Sequence, residues 1–250
     1  MKGVLRWLLL VVIAALALQL FFLCRIALAA KLNPTSTTFQ RSEAWRITAE
    51  KGPLRWRHQW LSYAEISDNL KRAVIASEDG SFTNHDGVDW EALEKAWQRN
   101  AKAEEQAAKQ RPRQAGAATP PARPARAPKI FGGSTITQQL AKNLLLSGER
   151  TLLRKGQEIV LTFALERMLS KERILEIYLN SVEWGEGVFG AEAAAQHYFR
   201  KSTGRLSTYE AARLAVMLPR PKYFEKLPHS GYLASRASTI VARMQGAELP

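Results

Sequence analysis

The run from Gly132 to Asn143 holds more hydrogen-bonding side chains than the start of a structural helix needs. Ser134 follows two glycines and is a natural N-cap, and the N-terminus of a helix favours anions. Apolar residues recur every four positions from Ile136, so one stripe of this helix can be buried. The polar residues then lie on another face of the helix: Thr135, Gln138 or Gln139, and Lys142. The run therefore predicts a polar, partly cationic wall that holds a sugar or a phosphate.

Two adjacent carboxylates, Glu78 and Asp79, stand where a helical pattern gives way to a loop. A carboxyl group can act as an acid or a base when it lies within hydrogen-bond reach of a substrate hydroxyl, often with a raised pKa. For Asp79 and His85 the simpler interpretation is structural, because Asp79 can brace the loop and His85 can bond within it. Glu78 remains a candidate for proton transfer.

A third group contains the cations Arg150, Arg154 and Lys155 and the carboxylate Glu158. Arg154 and Glu158 are four residues apart, so an ion pair along one helix is the first interpretation. The second is a cationic cluster for phosphate, with Glu158 facing into the site. The planar fork of arginine suits phosphate geometrically.

Helices must position these residues, because helical periodicity prevails and no convincing strand with alternating polarity is present in the sequence. Asp68 and Asp89 can each cap a helix. A capping box of Ser207 and Glu210 opens another helix, which stops at Pro219. Further helices are predicted over about 151–169, from Ser170 onward and over about 233–245. The sequence thus predicts a mainly α protein.

Residues 99–129 have a different composition, in which Ala, Gln, Arg and Pro dominate, with five prolines between Arg111 and Pro128. Almost none of these residues can be buried, so we expect a disordered, basic insertion. The alternative is a tether to anionic lipid or to a partner.

The N-terminal segment from Trp7 to Cys24 is apolar except for Gln19, and its 18 residues are near the lower limit for a membrane-spanning helix. Lys2 and Arg6 precede it, which predicts a cytoplasmic N-terminus by the positive-inside rule. The alternative is a signal peptide cleaved near 27–29, but the apolar stretch is long for one. Under both interpretations, the rest of the chain is exported across the membrane. We expect this organisation: cytoplasmic 1–6, anchor 7–29, approach segment 30–66 and a domain over 67–250.

The chain has 250 residues and a formal net charge of +13, which suggests an anionic partner such as nucleic acid, anionic lipid or a phosphorylated substrate. Its single cysteine, Cys24, excludes an internal disulfide. The sequence has no zinc-ligand spacing, RNA-binding signature or helix-turn-helix pattern, so nucleic acid is not expected. Trp45, Trp56 and Trp60 lie among basic residues and either pack in the protein or sit at the membrane interface.

Taken together and in this order, the motifs resemble those of the peptidoglycan glycosyltransferases of glycosyltransferase family 51. The resemblance runs from about Ser67 to Pro221 and rests on five ordered motifs, which makes it highly specific. They are Glu78-Asp79-x-x-Phe82-x-x-His85-x-Gly87, Gly133-Ser134-Thr135-Ile136-Thr137-Gln138-Gln139-Leu140-x-Lys142-Asn143, Arg154-Lys155-x-x-Glu158, Ile174-Leu175-Glu176-x-Tyr178-Leu179-Asn180, and Glu210-Ala211-Ala212 through Leu218-Pro219-x-Pro221.

The resemblance implies a lysozyme-like helical domain with a smaller membrane-associated lobe, preceded by one transmembrane helix. It implies that the protein polymerises glycan chains from lipid II by inverting transfer, forming β-1,4 linkages. Glu78 matches the family's general base, and Glu158 matches a second carboxylate near the donor pyrophosphate. The remaining matched positions are substrate-binding: the cations Lys142, Arg150, Arg154 and Lys155, and the polar residues Ser134, Gln139 and Asn143.

The resemblance also implies a location and partners. The catalytic domain would be periplasmic on a single-pass inner-membrane anchor, and other cell-wall synthases or division proteins are candidate partners besides lipid II, the growing glycan and membrane lipid. No cofactor is expected to be required, with magnesium or manganese at most stimulatory, and no dedicated metal cage is visible in the sequence. Because the chain ends at Pro250, we expect the monofunctional form without a transpeptidase domain. The long insertion departs from the family pattern.

Two alternatives remain open from the sequence. A glycan-cleaving enzyme of lysozyme-like architecture would also use a glutamate, but it needs neither a lipid anchor nor cations for a pyrophosphate. A catalytically silent scaffold for cell-wall machinery would not need the intact motif glutamates.

Overall fold

The structure is a computed structural model that describes residues 2–109, 133–146, 148–149 and 151–250. Within these residues it contains eleven α-helices: α1 (Lys2–Ala29), α2 (Thr38–Lys51), α3 (Asp68–Glu78), α4 (Trp90–Lys109), α5 (Ile136–Leu145), α6 (Leu152–Met168), α7 (Lys171–Ser181), α8 (Ala191–Phe199), α9 (Thr208–Met217), α10 (Pro221–Glu225) and α11 (Gly231–Met244). Three short strands accompany them: β1 (Arg57–His58), β2 (Glu183–Gly185) and β3 (Val188–Phe189). The mainly α prediction is confirmed.

The described residues fall into two compact units, one comprising the chain up to Val88 together with Thr135–Pro250 and the other comprising Asp89–Ser134. In the larger unit, α3, α9 and α11 pack together, and α5 packs against α2, α6 and α7. The predicted apolar stripe of α5 is confirmed, since Ile136, Leu140 and Leu144 are all buried in the core. The helices that carry the predicted site residues are therefore held by a shared apolar core.

Helix α1 is the only helix among the described residues that is long and apolar enough to cross a membrane. Most of its surface is exposed, as expected of a helix whose solvent is lipid. Its single polar residue in the apolar run, Gln19, exchanges two hydrogen bonds with Gln157 of α6, with N–O distances of 2.9 and 2.8 Å. These bonds pair the two amides with each other and join α1 to the helix that carries Glu158.

A small sheet was missed by the sequence prediction. Its order is β1–β3–β2, with β1 parallel and β2 antiparallel to β3. The strands have two or three residues, too few to show alternating polarity. Trp56, which precedes β1, stacks on Phe189 of β3 at 4.4 Å between ring centroids. Trp60 donates to Glu176 at 3.2 Å, so both tryptophans pack in the protein, whereas Trp45 is exposed.

Most predicted helix starts are confirmed by their caps. Ser207 and Glu210 form the expected capping box of α9, and Ser170 caps α7. Asp89 accepts from the Ala92 N–H at 2.7 Å at the start of α4. Asp68 was the wrong cap, because Ser67 holds the N-cap position of α3 and Asp68 pairs instead with Lys71 at 2.7 Å.

The smaller unit contains α4, which extends to Lys109. The prediction of disorder is therefore wrong for residues 99–109, where Ala, Glu, Lys and Gln are all strong helix formers. Ion pairing and hydrogen bonding at i,i+4 support the preceding turns, as in Glu91–Lys95 and Glu94–Gln98. The rest of the predicted insertion, residues 110–129, lies outside the described residues.

Candidate active site

Glu78 is the last residue of α3, where the helix ends and its side chain is only partly buried. Gln139 of α5 donates from Nε2 to Glu78 Oε2 at 3.0 Å. The hydroxyl of Tyr178 on α7 donates to Gln139 Oε1 at 3.0 Å. Because a tyrosine hydroxyl fixes the amide oxygen, the amide N–H₂ group of Gln139 faces the carboxylate. Three helices thus orient one carboxyl group.

Burial raises the pKa of Glu78 above its ordinary value, although hydrogen bonds from Gln139 and Ser77 act in the opposite direction. The charge of neighbouring Asp79 adds to the increase in this pKa. A carboxylate with raised proton affinity is a better base at neutral pH than an ordinary surface glutamate. Burial also raises the pKa of Tyr178 well above its ordinary value, so its hydroxyl stays protonated and serves as a donor.

Asp79 is structural, as the sequence predicted. It is buried, its Oδ2 accepts from the Ile136 N–H at the start of α5 at 2.9 Å, and its Oδ1 lies 2.9 Å from His85 Nε2. His85 Nδ1 accepts from the Gly87 N–H at 3.1 Å, which places the ring proton on Nε2, facing Asp79. The predicted internal bonding of His85 is confirmed, and the pair ties the loop after Glu78 to the start of α5.

A second set of contacts holds the far side of this loop. Lys171 Nζ donates to the His85 carbonyl at 2.6 Å and to Glu166 Oε1 at 2.9 Å. Thr137 of α5 donates to the same Glu166 oxygen at 2.6 Å. Gly87 has a φ of +90°, and a Cβ there would lie 2.6 Å from Thr162 and 2.9 Å from Glu166, so only glycine fits. Glu78 therefore stands at the edge of a braced loop.

The N-cap of α5 differs from the predicted one. Thr135 is the N-cap, and its hydroxyl accepts from the Gln138 N–H while the Gln138 side chain accepts from the Thr135 N–H. Ser134 precedes this cap, so its predicted N-cap position is wrong, and its substrate role stays a prediction. Because Gln138 is buried in this capping box, Gln139 is the glutamine available to the site.

Glu158 is buried on α6 and forms ion pairs with the two cations that precede it. Arg154 Nη1 donates to Glu158 Oε2 at 2.8 Å, and Lys155 Nζ binds Oε1 of the same carboxylate. The predicted i,i+4 pair is therefore confirmed. The Nε–H group of Arg154 is buried and has no hydrogen-bond partner among the described residues. The phosphate interpretation stays a prediction.

Lys142 is exposed and Asn143 is partly buried near the C-terminal end of α5, and both follow Gln139 on this helix. Helix α5 packs against α6, which carries Arg154, Lys155 and Glu158. Arg150 lies outside the described residues.

Several positioning residues escaped the sequence analysis. Tyr178 appears above only within a family motif, and no sequence signal distinguishes a buried tyrosine that donates to a site glutamine from one that packs. Lys171 carries no sequence signal that marks it as a brace of the loop. Thr137 and Glu166 are 29 residues apart, so their contact depends on the packing of α5 on α6.

The described residues contain no group of three or more His, Cys, Asp or Glu side chains that could hold a metal ion. Glu158, the buried carboxylate of the cationic cluster, already has both oxygens bound by Arg154 and Lys155. Among the described residues, the cationic cluster therefore offers a divalent cation no carboxylate oxygen that is free of a protein cation.

Comparison with known proteins agrees with this arrangement. A family model described as transglycosylase matches residues 47–120 and 121–245. A biosynthetic peptidoglycan transglycosylase of Paraburkholderia phytofirmans is 48% identical over 99% of this chain and 95% of its own length. Proteins of the same description from Burkholderia thailandensis and Burkholderia orbicola are each 49% identical, over 100% and 95% of this chain and 90% and 87% of their own lengths.

Proposed function

Since the chain belongs to the transglycosylase family and is a peptidoglycan glycosyltransferase, with lipid II and the glycan strand as its substrates, we propose that Glu78 is the general base of the polymerisation reaction. The observation that supports this role most directly is the Glu78 carboxylate itself, raised in pKa by burial and oriented by Gln139. Of the two glutamates with a predicted catalytic role, Glu158 is already paired with Arg154 and Lys155, which leaves Glu78 for proton transfer.

In the proposed reaction, Glu78 takes the proton from the 4-hydroxyl of the acceptor GlcNAc on lipid II. The oxygen then forms a bond to the anomeric carbon of the growing chain. The bond from that carbon to the diphosphate breaks, and undecaprenyl pyrophosphate leaves with the electron pair. Attack opposite the leaving group converts an α-linked donor into a β-1,4 linkage, so the transfer is inverting.

The leaving diphosphate gains negative charge as the bond breaks, and preorganised donors lower the barrier for this step. We assign this role to Arg154 and Lys155, supported by their shared ion pair with Glu158 and by the partial exposure of the Lys155 side chain. Glu158 holds both cations at fixed positions on α6. Four further residues complete the proposed substrate-binding set: Ser134, Gln139, Lys142 and Asn143, with Arg150 as a fifth candidate outside the described residues.

We propose that the reaction needs no obligatory metal ion, because the cations of the protein supply the charge that a metal would supply. A stimulatory effect of magnesium or manganese would then act on the lipid diphosphate itself. Helix α1 fits a membrane anchor. We further propose that it is retained in the inner membrane with a cytoplasmic N-terminus and a periplasmic catalytic domain, near other cell-wall synthases or division proteins.

The test is polymerisation of labelled lipid II by the full-length protein in detergent. Glu78→Gln should reduce kcat/KM by about 10²–10⁴-fold, the contribution typical of a general base. Glu172→Gln is the matched control, because Glu172 is exposed in the first turn of α7, and it should retain activity. Full activity of Glu78→Gln would overturn the assignment.

A parallel incubation with finished peptidoglycan tests the alternative of a glycan-cleaving enzyme. Soluble muropeptides released by the wild type would favour that alternative. Absence of lipid II turnover by the wild type, together with retention of division proteins in a pull-down, would favour a scaffold.

A further inference from the structure

We propose that a cavity at the C-terminal end of α1 binds the phosphate group of a membrane lipid. The cavity has a volume of about 210 Å³ and lies between the end of α1, the connecting segment 30–36 and the end of α5. Two arginines line it, Arg25 from α1 and Arg41 from α2. It contains none of the residues proposed above to bind the substrate.

The position of Arg25 along α1 places this cavity at the level of lipid phosphates. The apolar run from Trp7 to Cys24 ends immediately before Arg25. At 1.5 Å per residue, the 18 residues of this run span about 27 Å, close to the thickness of the hydrocarbon layer. The first cation after such a run reaches the headgroup region.

The charge of the lining favours an anion. None of the described residues that line the cavity is acidic. Arg41 is held in place by its own contacts, from Nη1 to the Ser36 carbonyl at 3.2 Å and hydroxyl at 3.1 Å and from Nη2 to the Thr38 hydroxyl at 3.1 Å. The Arg25 guanidinium lies 5.9 Å from the centroid of the Phe21 ring. Two guanidinium groups facing one cavity repel each other unless an anion lies between them, and their planar forks suit phosphate oxygens.

The helix ends around the cavity add to this preference. The C-terminal carbonyls of α1 would repel an anion, but Arg173 donates to the carbonyls of Ala29 and Leu32 at 2.9 Å each. The Leu144 carbonyl at the end of α5 accepts from the Thr38 hydroxyl at 3.1 Å. Helix α2 begins beside the cavity, and its N-terminal dipole favours negative charge.

The size and the rim of the cavity indicate a lipid with its chains outside. A volume of about 210 Å³ accommodates a phosphate and part of its glycerol or alcohol, not a whole lipid. Leu28 and Leu32 line the cavity and are 58% and 61% exposed, so they offer apolar contact for the first carbons of a chain. Both anionic phospholipids and polyprenyl phosphates have this chemistry, and juxtamembrane cations attract either.

Native mass spectrometry of the full-length protein in detergent measures this binding without requiring catalysis. Phosphatidylglycerol, undecaprenyl phosphate and zwitterionic phosphatidylcholine are added separately at equal concentration. We expect the wild type to retain one of the two anionic lipids at least tenfold more strongly than phosphatidylcholine. Retention of phosphatidylglycerol would identify bulk phospholipid as the source, and retention of undecaprenyl phosphate alone would identify the polyprenyl carrier.

The variant R25Q/R41Q should lose this preference by at least tenfold, whereas Arg205→Gln, which removes an exposed arginine near α9, should keep it. R25K/R41K keeps both charges and should retain most of the binding. Equal retention of all three lipids by the wild type, or unchanged retention by R25Q/R41Q, would overturn the proposal.

A second measurement uses only the wild-type sequence and so does not depend on the folding of a variant. Cys24 is exposed and adjacent to Arg25, so a fluorophore attached to it reports on nearby lipid. Brominated phosphatidylglycerol or brominated undecaprenyl phosphate should quench this fluorophore more than brominated phosphatidylcholine at equal mole fraction, and equal quenching by all three would contradict the proposal. Because the proposal rests on α1 spanning the membrane and not on the role of Glu78, it can fail while lipid II polymerisation stands.

Discussion

Replacement of Gln139 by leucine should move the acidic limb of the pH–rate profile to higher pH. Gln139 donates to the carboxylate of Glu78 and is itself oriented by the Tyr178 hydroxyl. The hydrogen bond stabilises the ionised form of Glu78, so it lowers a pKa that burial raises. Leucine leaves the partly buried carboxylate without this donor, and the pKa of Glu78 then rises further.

The size of the shift follows from the strength of the bond. A hydrogen bond to a charged group contributes about 1.5–3 kcal/mol. One pKa unit corresponds to about 1.4 kcal/mol, so the pKa of Glu78 should rise by about 1–2 units in Gln139→Leu. Tyr178→Phe removes only a bond between neutral groups, about 0.5–1.5 kcal/mol, and acts through the amide. In Tyr178→Phe the pKa of Glu78 should therefore rise by less than about one unit.

The profile of kcat/KM for lipid II polymerisation measures this directly, because it reports the essential groups of the free enzyme. The base must be ionised, so activity falls as pH drops through the pKa of Glu78. At pH values above the acidic limb of the profile, Gln139→Leu and Tyr178→Phe should both recover part of the activity that they lose near neutral pH. A Gln139→Leu profile that is lower at every pH but unshifted would refute the proposed effect on the pKa and leave Gln139 with substrate binding alone.

Two further changes test the anchor and a buried carboxylate. The paired amides of Gln19 and Gln157 should give a coupling of about 0.6–1.7 kcal/mol in a double-mutant cycle of leucine substitutions, measured by unfolding in detergent; zero coupling would show that the pair does not form. Burial raises the pKa of Glu183 from 4.5 to about 7 despite Lys222 at 3.3 Å. The folded state then binds this proton more tightly than the unfolded chain, so stability falls as pH rises from about 4.5 to 7. In Glu183→Gln the free energy of unfolding should not fall over this pH range, which spares the variant a loss of about 3 kcal/mol by pH 8. Parallel pH–stability curves for the two proteins would contradict this prediction.

Helix starts could be predicted from the sequence where the signal is local. The capping box of Ser207 and Glu210 and the caps Ser170 and Asp89 each involve residues within three or four positions of one another. Their geometry depends little on the rest of the chain. The buried stripe of α5 could also be predicted from the sequence, because its period is set by the helix itself.

The sheet and the braces of the site could not be predicted in this way. Strand β1 pairs with β3, and the register joins Arg57 to Val188, far apart along the chain. The contact between Tyr178 and Gln139 joins residues 39 positions apart on different helices. Such contacts follow from how the helices pack, and the residue types alone are compatible with many other partners.

A single position at the start of α5 shows how a local feature decides the chemistry of the site. With Ser134 as the cap, either Gln138 or Gln139 could have faced the substrate. The cap is Thr135, so the third helical residue, Gln138, turns back to the Thr135 N–H and its side chain is consumed in the capping box. The next residue lies about 100° further around the helix. Gln139 is thereby directed away from the cap and reaches Glu78 and Tyr178. The cap that stabilises α5 therefore also selects which glutamine controls the proton affinity of Glu78.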